Sequence, residues 1–409
     1  MKKFSLLLAI IAGTSIATAQ ETTVNLSLGA GYSKNVYFDF ESGQSQSFNV
    51  DSWDIAFLRT SAYDFAERIN DGLGISVYEA SDNPADYDNI NPANIDSWTQ
   101  LYNSDTMWEA GAFDFASAPY GWGNYNATTH HVSGTIVYVL KYANGSFKKF
   151  MINDFFNGYN FKNASWNAST SSWENEQTVS LPNSENQGKL FNFYSLTNNQ
   201  SVVASPNMTD WDLVFQTYTT DLGIMYPVIG ALQSRDVSVA KSTDSNVSSI
   251  NEADYKEEIN TVGYDWKSFN GSGYTVNSDT YYFLKYADGK IFRFQFLTYE
   301  GTSTGNFSFR YENVTDQMAT VNFDDKNSLS IYPNPVKGNK ILNILYESNA
   351  ANNAKIEIYD LTGRIVVKKD LPTNGFFNHQ LNLSSLTKGI YILKFNSGKY
   401  TETKKIIIE

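Results

Sequence analysis

The chain has 409 residues, no cysteine, three histidines and a formal net charge of −13. That length predicts two or three domains, and the absence of thiols excludes disulfides, thiolate metal centres, a cysteine nucleophile and a lipid-modified N-terminal Cys. An aromatic content of 15% favours β-structure, and a charged fraction of 18% excludes a coiled coil or a highly charged disordered chain.

Taken in chain order, Lys2 and Lys3 precede an apolar run, Leu6 to Ile16, and then Ala17-Thr18-Ala19. A charged start, a short apolar stretch and an A-x-A site predict a signal peptide over residues 1–19. The run is too short to span a membrane, and no later stretch is long enough. Residues 20–326 hold 17 Lys and Arg against 37 Asp and Glu, whereas residues 327–409 hold 11 against 6. So acidic a body repels phosphate backbones, which argues against a nucleic-acid partner.

A repeat follows. Ser52-Trp53-Asp54-Ile55-Ala56-Phe57 is echoed by Asp210-Trp211-Asp212-Leu213-Val214-Phe215. Aromatic runs precede both, Val36 to Phe40 and Phe191 to Tyr194. Trp122 stands 16 residues before Tyr138, and Trp266 stands 16 before Tyr282. From those tyrosines the chain reads Y-V-L-K-Y-A-N-G and Y-F-L-K-Y-A-D-G, strands ending in Asn-Gly and Asp-Gly hairpin turns. Residues 24–165 and 189–315 are therefore expected to be two copies of one unit. Residues 166–188, rich in Asn, Ser, Thr and Glu, read as a linker, and residues 316–328 as a second. The spacing Ser249-Ile-Asn-Glu252 predicts a short helix over 250–260. The fold class expected is all-β: two tandem antiparallel units with aromatic cores, then a C-terminal immunoglobulin-like β-sandwich.

Catalytic and metal-binding patterns are sparse. Gly301-Thr302-Ser303-Thr304-Gly305 fits G-x-S-x-G, but an alternating strand follows it, so a hairpin turn is the better reading. Asp82, Asp86, Asp88, Asn89 and Asp96 form an oxygen-rich loop without the D-x-[DN]-x-[DN]-G order of a calcium site. Trp98, Trp108, Trp166 and Trp173 could stack on sugars, although buried or clamping roles are favoured. No enzymatic activity is expected.

From Leu329 short strand-like runs crowd together. Ile331-Tyr332-Pro333-Asn334-Pro335, Ile358-Tyr359-Asp360-Leu361-Thr362-Gly363-Arg364, Leu386-Thr-Lys-Gly389-Ile390-Tyr391 and Lys404-Lys405-Ile406 stand in order. Residues 329–409 thus resemble the type A C-terminal sorting domain of the type IX (Por) secretion system. The resemblance implies a sorting signal carried by Pro333, Asn334, Pro335, Gly363, Arg364, Gly389, Tyr391, Lys404 and Lys405. It also implies the secretion machinery as partner, passage through the periplasm, and a secreted or outer-membrane-surface location in a Gram-negative bacterium.

The W-D runs, Trp122 and the block from Tyr282 to Tyr299 resemble the HmuY family of haem-binding surface proteins. That resemblance implies a small-ligand binder for which haem is a candidate cofactor, held by His or Met donors on the two faces of the iron. One family histidine position falls on Ala127 and Gly271, so the donor is missing there. His130 and His131 lie slightly further on; on a strand their rings would point to opposite faces. Met107, Met208 and Met225 are reserve donors, though a Met in an aromatic core is usually packing. The alternative is a surface protein that binds glycans or proteins without a cofactor.

Overall fold

The computed structural model describes residues 21–315, 327–348, 354–373, 375–397 and 400–409. The expected signal peptide lies outside the described residues, as does most of the expected 316–328 linker. The chain divides into a body, residues 1–315, and a C-terminal unit, residues 316–409. Both are built of antiparallel strands, and the named helical elements are short 3-10 turns.

Four sheets form most of the body. The outer sheet of the first half runs Ser172–Pro182, Gly158–Asn167, Phe147–Phe155, Val137–Lys141, Ser76–Ser81, Thr99–Leu101. The outer sheet of the second half runs Thr22–Ser27, Asn306–Asn313, Ile291–Tyr299, Tyr281–Tyr286, Val237–Ser242. Two four-stranded sheets complete the set, and each mixes the two repeats. Phe191–Ser195, from the second copy, pairs with Ile55–Leu58 of the first. Lys34–Asp39, from the first copy, pairs with Leu213–Asp221 of the second. The copies have exchanged their opening hairpins.

The exchange explains the W-D motif. The Asp54 amide donates to the Tyr194 carbonyl and the Asp212 amide to the Phe38 carbonyl, each at 2.8 Å. The Asp54 carboxylate accepts from Leu196 N at 2.6 Å and Tyr142 Oη at 2.8 Å. The Asp212 carboxylate accepts from Phe40 N at 2.7 Å and Tyr286 Oη at 2.5 Å. Each acid therefore fastens the strand donated by the other copy to the tyrosine of its own.

Burial follows the pleat. Ile55 and Phe57 face one core with Trp122, Tyr138 and Phe150, whereas Ala56 and Leu58 face another with Trp53, Trp108 and Trp211. In the second half, Leu213 and Phe215 meet Trp266 and Phe294, while Val214 turns to the same Trp53–Trp211 core. Strands buried on both faces cannot alternate apolar and polar residues, which is why the W-D strands read as unbroken apolar runs. Trp122 and Trp266 thus anchor separate, equivalent cores, but Trp53 and Trp211 share one.

Three sequence expectations change. The two units are not consecutive bodies, because hairpins cross between them and Thr22–Ser27 closes the second half against Asn306–Asn313. The supposed 166–188 linker holds an eleven-residue edge strand, Ser172–Pro182, paired with Gly158–Asn167. An edge strand with an exposed face needs backbone partners more than apolar side chains. The 250–260 helix reduces to one 3-10 turn, Glu252–Asp254, capped by Asn251 and Asp254. The 301–305 segment is, as read, a hairpin turn between Ile291–Tyr299 and Asn306–Asn313, with Gly301 and Gly305 at positive φ.

The C-terminal unit sets a three-stranded sheet (Asn327–Tyr332, Ile341–Ser348, Gly375–Asn382) beside a four-stranded one. The latter runs Ile365–Leu371, Ala354–Tyr359, Gly389–Ser397, Tyr400–Ile408. Leu342, Ile344, Tyr346, Ile356, Ile358, Leu393 and Phe395 fill its core, consistent with a small β-sandwich.

Candidate functional site

The hairpin Gly123–Tyr125/Val132–Gly134 carries the two histidines in its connecting loop. Asn126 builds that loop: its Oδ1 accepts from Thr128 N and Thr129 N, and its backbone bonds to His130 and His131. His130 has φ of 60°, uncommon for a non-glycine residue. The histidines are therefore off the strand, and the opposite-face geometry expected of a strand does not apply.

Both imidazoles join one cluster of rings. His131 stacks on Phe156 with centroids 5.0 Å apart and planes at 20°. Tyr63 meets both His130 and Phe156 edge-on, at 6.1 and 6.0 Å. Tyr125 lies beside His130, and Tyr120 beside Tyr125 at 5.5 Å. Tyr63 is 62% exposed, and Tyr120, Tyr125 and Phe156 lie between 39% and 48%. Exposed apolar groups gathered in this way mark contact surfaces.

The histidine nitrogens are divided in use. His131 Nδ1 lies 2.8 Å from Asp154 Oδ2, and His130 Nδ1 lies 2.6 Å from Tyr125 Oη. A carboxylate at one ring nitrogen orients the imidazole and leaves the other nitrogen as the donor. Tyr63 and Phe156 come from separate turns distant in sequence, and no local motif pointed to them.

The methionines stand elsewhere. Met107 is exposed in a groove with Tyr255 and Arg235, Met208 packs against the Trp53–Trp211 core, and Met225 opens the strand Met225–Gln233. Donors on opposite sides of one iron are not assembled from these five residues. The cavity between the two central sheets is lined by Trp53, Trp108, Trp211 and Arg68, but its volume is only about 50 Å³. That is room for a water molecule or two, against roughly 300–1,000 Å³ for ligand pockets. The buried Arg68 guanidinium is spent on the carbonyls of Ser104, Met107 and Ala110, which knot the loop bearing Trp108. Trp108 Nε1 then donates to Gln233 O at 2.9 Å and ties the halves together. In the oxygen-rich loop, Asp86 accepts from Ser81 and Asp88 pairs with Lys149. No group of three or more metal-binding side chains is found among the described residues.

In the C-terminal unit the expected signal residues hold the last strand. Asn334 Nδ2 donates to Lys405 O at 2.7 Å, and Asn334 Oδ1 accepts from Ile407 N at 2.9 Å. Gly363 turns at φ 83°, and Asp360 bonds Thr362 and Arg364 round it. Tyr391 is buried, with its hydroxyl on Thr387 O. The family of secretion system C-terminal sorting domains matches residues 330–409. This segment is a sorting domain. It marks the chain for export by the type IX system, as a secreted or cell-surface protein. Proline flanks Asn334 on both sides in the sorting domain, Gly389 opens a strand, and Lys404 pairs with Glu402. Among the described residues no helix is long and apolar enough to cross a membrane. No curated protein matches the chain.

Proposed function

We propose that the chain is an exported, non-catalytic ligand-binding protein whose body meets its ligand at the ring cluster around His130 and His131. The observation that carries this reading is the meeting of exposed rings with two imidazoles, each engaged through Nδ1. Ring faces stack on flat ligands, and an imidazole nitrogen with a carboxylate behind its partner is a good donor to iron. The repeat's resemblance to haem-binding surface proteins makes a porphyrin the first ligand to test. His131, backed by Asp154, is the donor of choice, and ligation from one face fits the donors present better than ligation from two. A bound haem would supply an iron centre to this donor; the chain's own part is to stack, orient and hold.

The test is a haemin titration of the secreted chain followed by absorbance. The expected result is a saturable Soret change of the one-histidine type, lost in His131→Ala and weakened in Phe156→Ala. A broad, unsaturated spectrum identical in both variants overturns haem ligation and leaves the cofactor-free surface protein as the reading.

A further inference from the structure

A second concave surface lies on the outer sheet of the first half, away from the histidine loop in sequence. It forms where the turn following Pro84–Asn89 meets the tip of the hairpin Gly158–Asn167/Ser172–Pro182. Asp88, Asn89, Lys149, Trp166, Ser171, Trp173 and Glu176 are among the residues that line it, and its volume is about 420 Å³. That lies within the usual range for small-ligand sites, roughly 300–1,000 Å³.

Trp166 and Trp173 face each other across the hairpin, with ring centroids 5.0 Å apart and planes at 64°. Both remain partly exposed. Trp173 Nε1 donates to Ile90 O at 2.7 Å, which fixes that indole to the second wall. A cross-strand tryptophan pair stabilises a hairpin unaided. Such a clamp needs no second wall, yet here one is supplied by another element and is lined with short polar side chains.

The charges select among ligands. Lys149 is 2% exposed: its Nζ donates to Tyr87 O at 3.0 Å and lies 3.8 Å over the Tyr87 ring. This cation forms the covered floor of the groove and pairs with Asp88 Oδ1 at 3.4 Å, while the Asp88 side chain is 86% exposed and Glu176 stands at the surface. Two carboxylates thus stand against one covered cation, and together with the amides and hydroxyls they bind sugar hydroxyls and repel anions. Aromatic faces carry negative potential and stack well on the C–H faces of sugar rings.

We propose that this groove is a carbohydrate-binding site for neutral oligosaccharides, with Trp166 as the stacking platform and Asp88, Asn89 and Glu176 as hydroxyl partners. It is independent of the histidine cluster. The test titrates the secreted full-length chain with cellohexaose, laminarihexaose, xylohexaose and mannohexaose, and with an oligogalacturonate as the anionic comparison, following tryptophan emission. At least one neutral probe is expected to give a saturable change. Trp166→Ala should weaken that binding about ten-fold or more, a loss of one stacking contact. Asn89→Ala, on the other wall and outside the hairpin, should weaken it several-fold with an unchanged melting temperature, so the result does not hinge on the hairpin folding without Trp166. His131→Ala should leave it unchanged, which separates this site from the haemin experiment. The proposal is overturned by no saturable change with any neutral probe up to about 10 mM, by stronger binding of the oligogalacturonate, or by equal affinity in both groove variants.

Discussion

The two halves of the body share a scaffold but differ where their cores are deepest. Phe57 pairs with Glu67 in the first half, and its counterpart Phe215 pairs with Ala231 in the second. Glu67 is fully buried, and its carboxyl faces Asp114, Tyr159 and Trp122 without a bond short and straight enough to satisfy its oxygens. Burial, reinforced by the neighbouring Asp114, pushes the Glu67 carboxyl well above the usual range, and burial pushes Asp114 up to about 6. The second half has only the methyl group of Ala231 at the paired position, and the charge beside its core tryptophan is a cation: Trp266 stacks on Phe296 with centroids 4.0 Å apart, and Lys267 Nζ lies 4.0 Å over the indole. Burial lowers that lysine to about 7. The same paired position thus holds a buried carboxyl in one half and a methyl group in the other, while the W-D carboxylates bind the exchanged strands in both.

The largest test of this picture removes the shared layer. Trp211→Ala should cost about 3–5 kcal/mol, as for other buried aromatic truncations, and both halves should unfold in one transition. Two well-separated transitions by calorimetry would break the description of one exchanged body. A smaller effect belongs to Asp212, whose carboxyl burial pushes up to about 7 from an ordinary value of 3.8. A raised carboxyl binds its proton more tightly in the folded state, so stability should fall as pH rises between roughly 4 and 7, by a few kcal/mol. Asp212→Asn should flatten that slope in urea unfolding measured across the window; an unchanged slope would assign it to other groups. Glu67→Gln sharpens the contrast between the halves. It keeps the shape and removes the ionisation, so the loss of melting temperature from mildly acidic to mildly alkaline pH should shrink, and an equal loss would count against a buried titrating Glu67. The smallest effect is expected at Ile224, 70% exposed in the turn before Met225–Gln233. Ile224→Ser should change stability by less than about 0.5 kcal/mol.

The repeat, the hairpin turns and the sorting domain were legible because each is a local pattern. The exchange was not. Ile55-Ala-Phe-Leu58 and Leu213-Val-Phe215 are so alike that either opening hairpin could pair with either W-D strand, and only packing on both faces decides between them. The lack of apolar alternation in these strands was the available clue. Ser172–Pro182 escaped notice because an edge strand with its outer face in solvent looks like a linker. At the candidate site, residue type pointed to His130 and His131. The positive φ that puts them with Tyr63 and Phe156 had no signature, since neither Asn nor Gly stands at position 130.

Thr22–Ser27, which pairs along its whole length with Asn306–Asn313, sets an order on assembly. A chain synthesised N-terminus first delivers the earlier strand long before its partner, and contacts so distant in sequence form slowly. The Lys34–Asp39 and Ile55–Leu58 strands likewise wait for the second copy. The body therefore cannot close until Asn313 has emerged, when the sorting domain is next to follow. For this protein, being fully folded and being ready to present its address come close together in time.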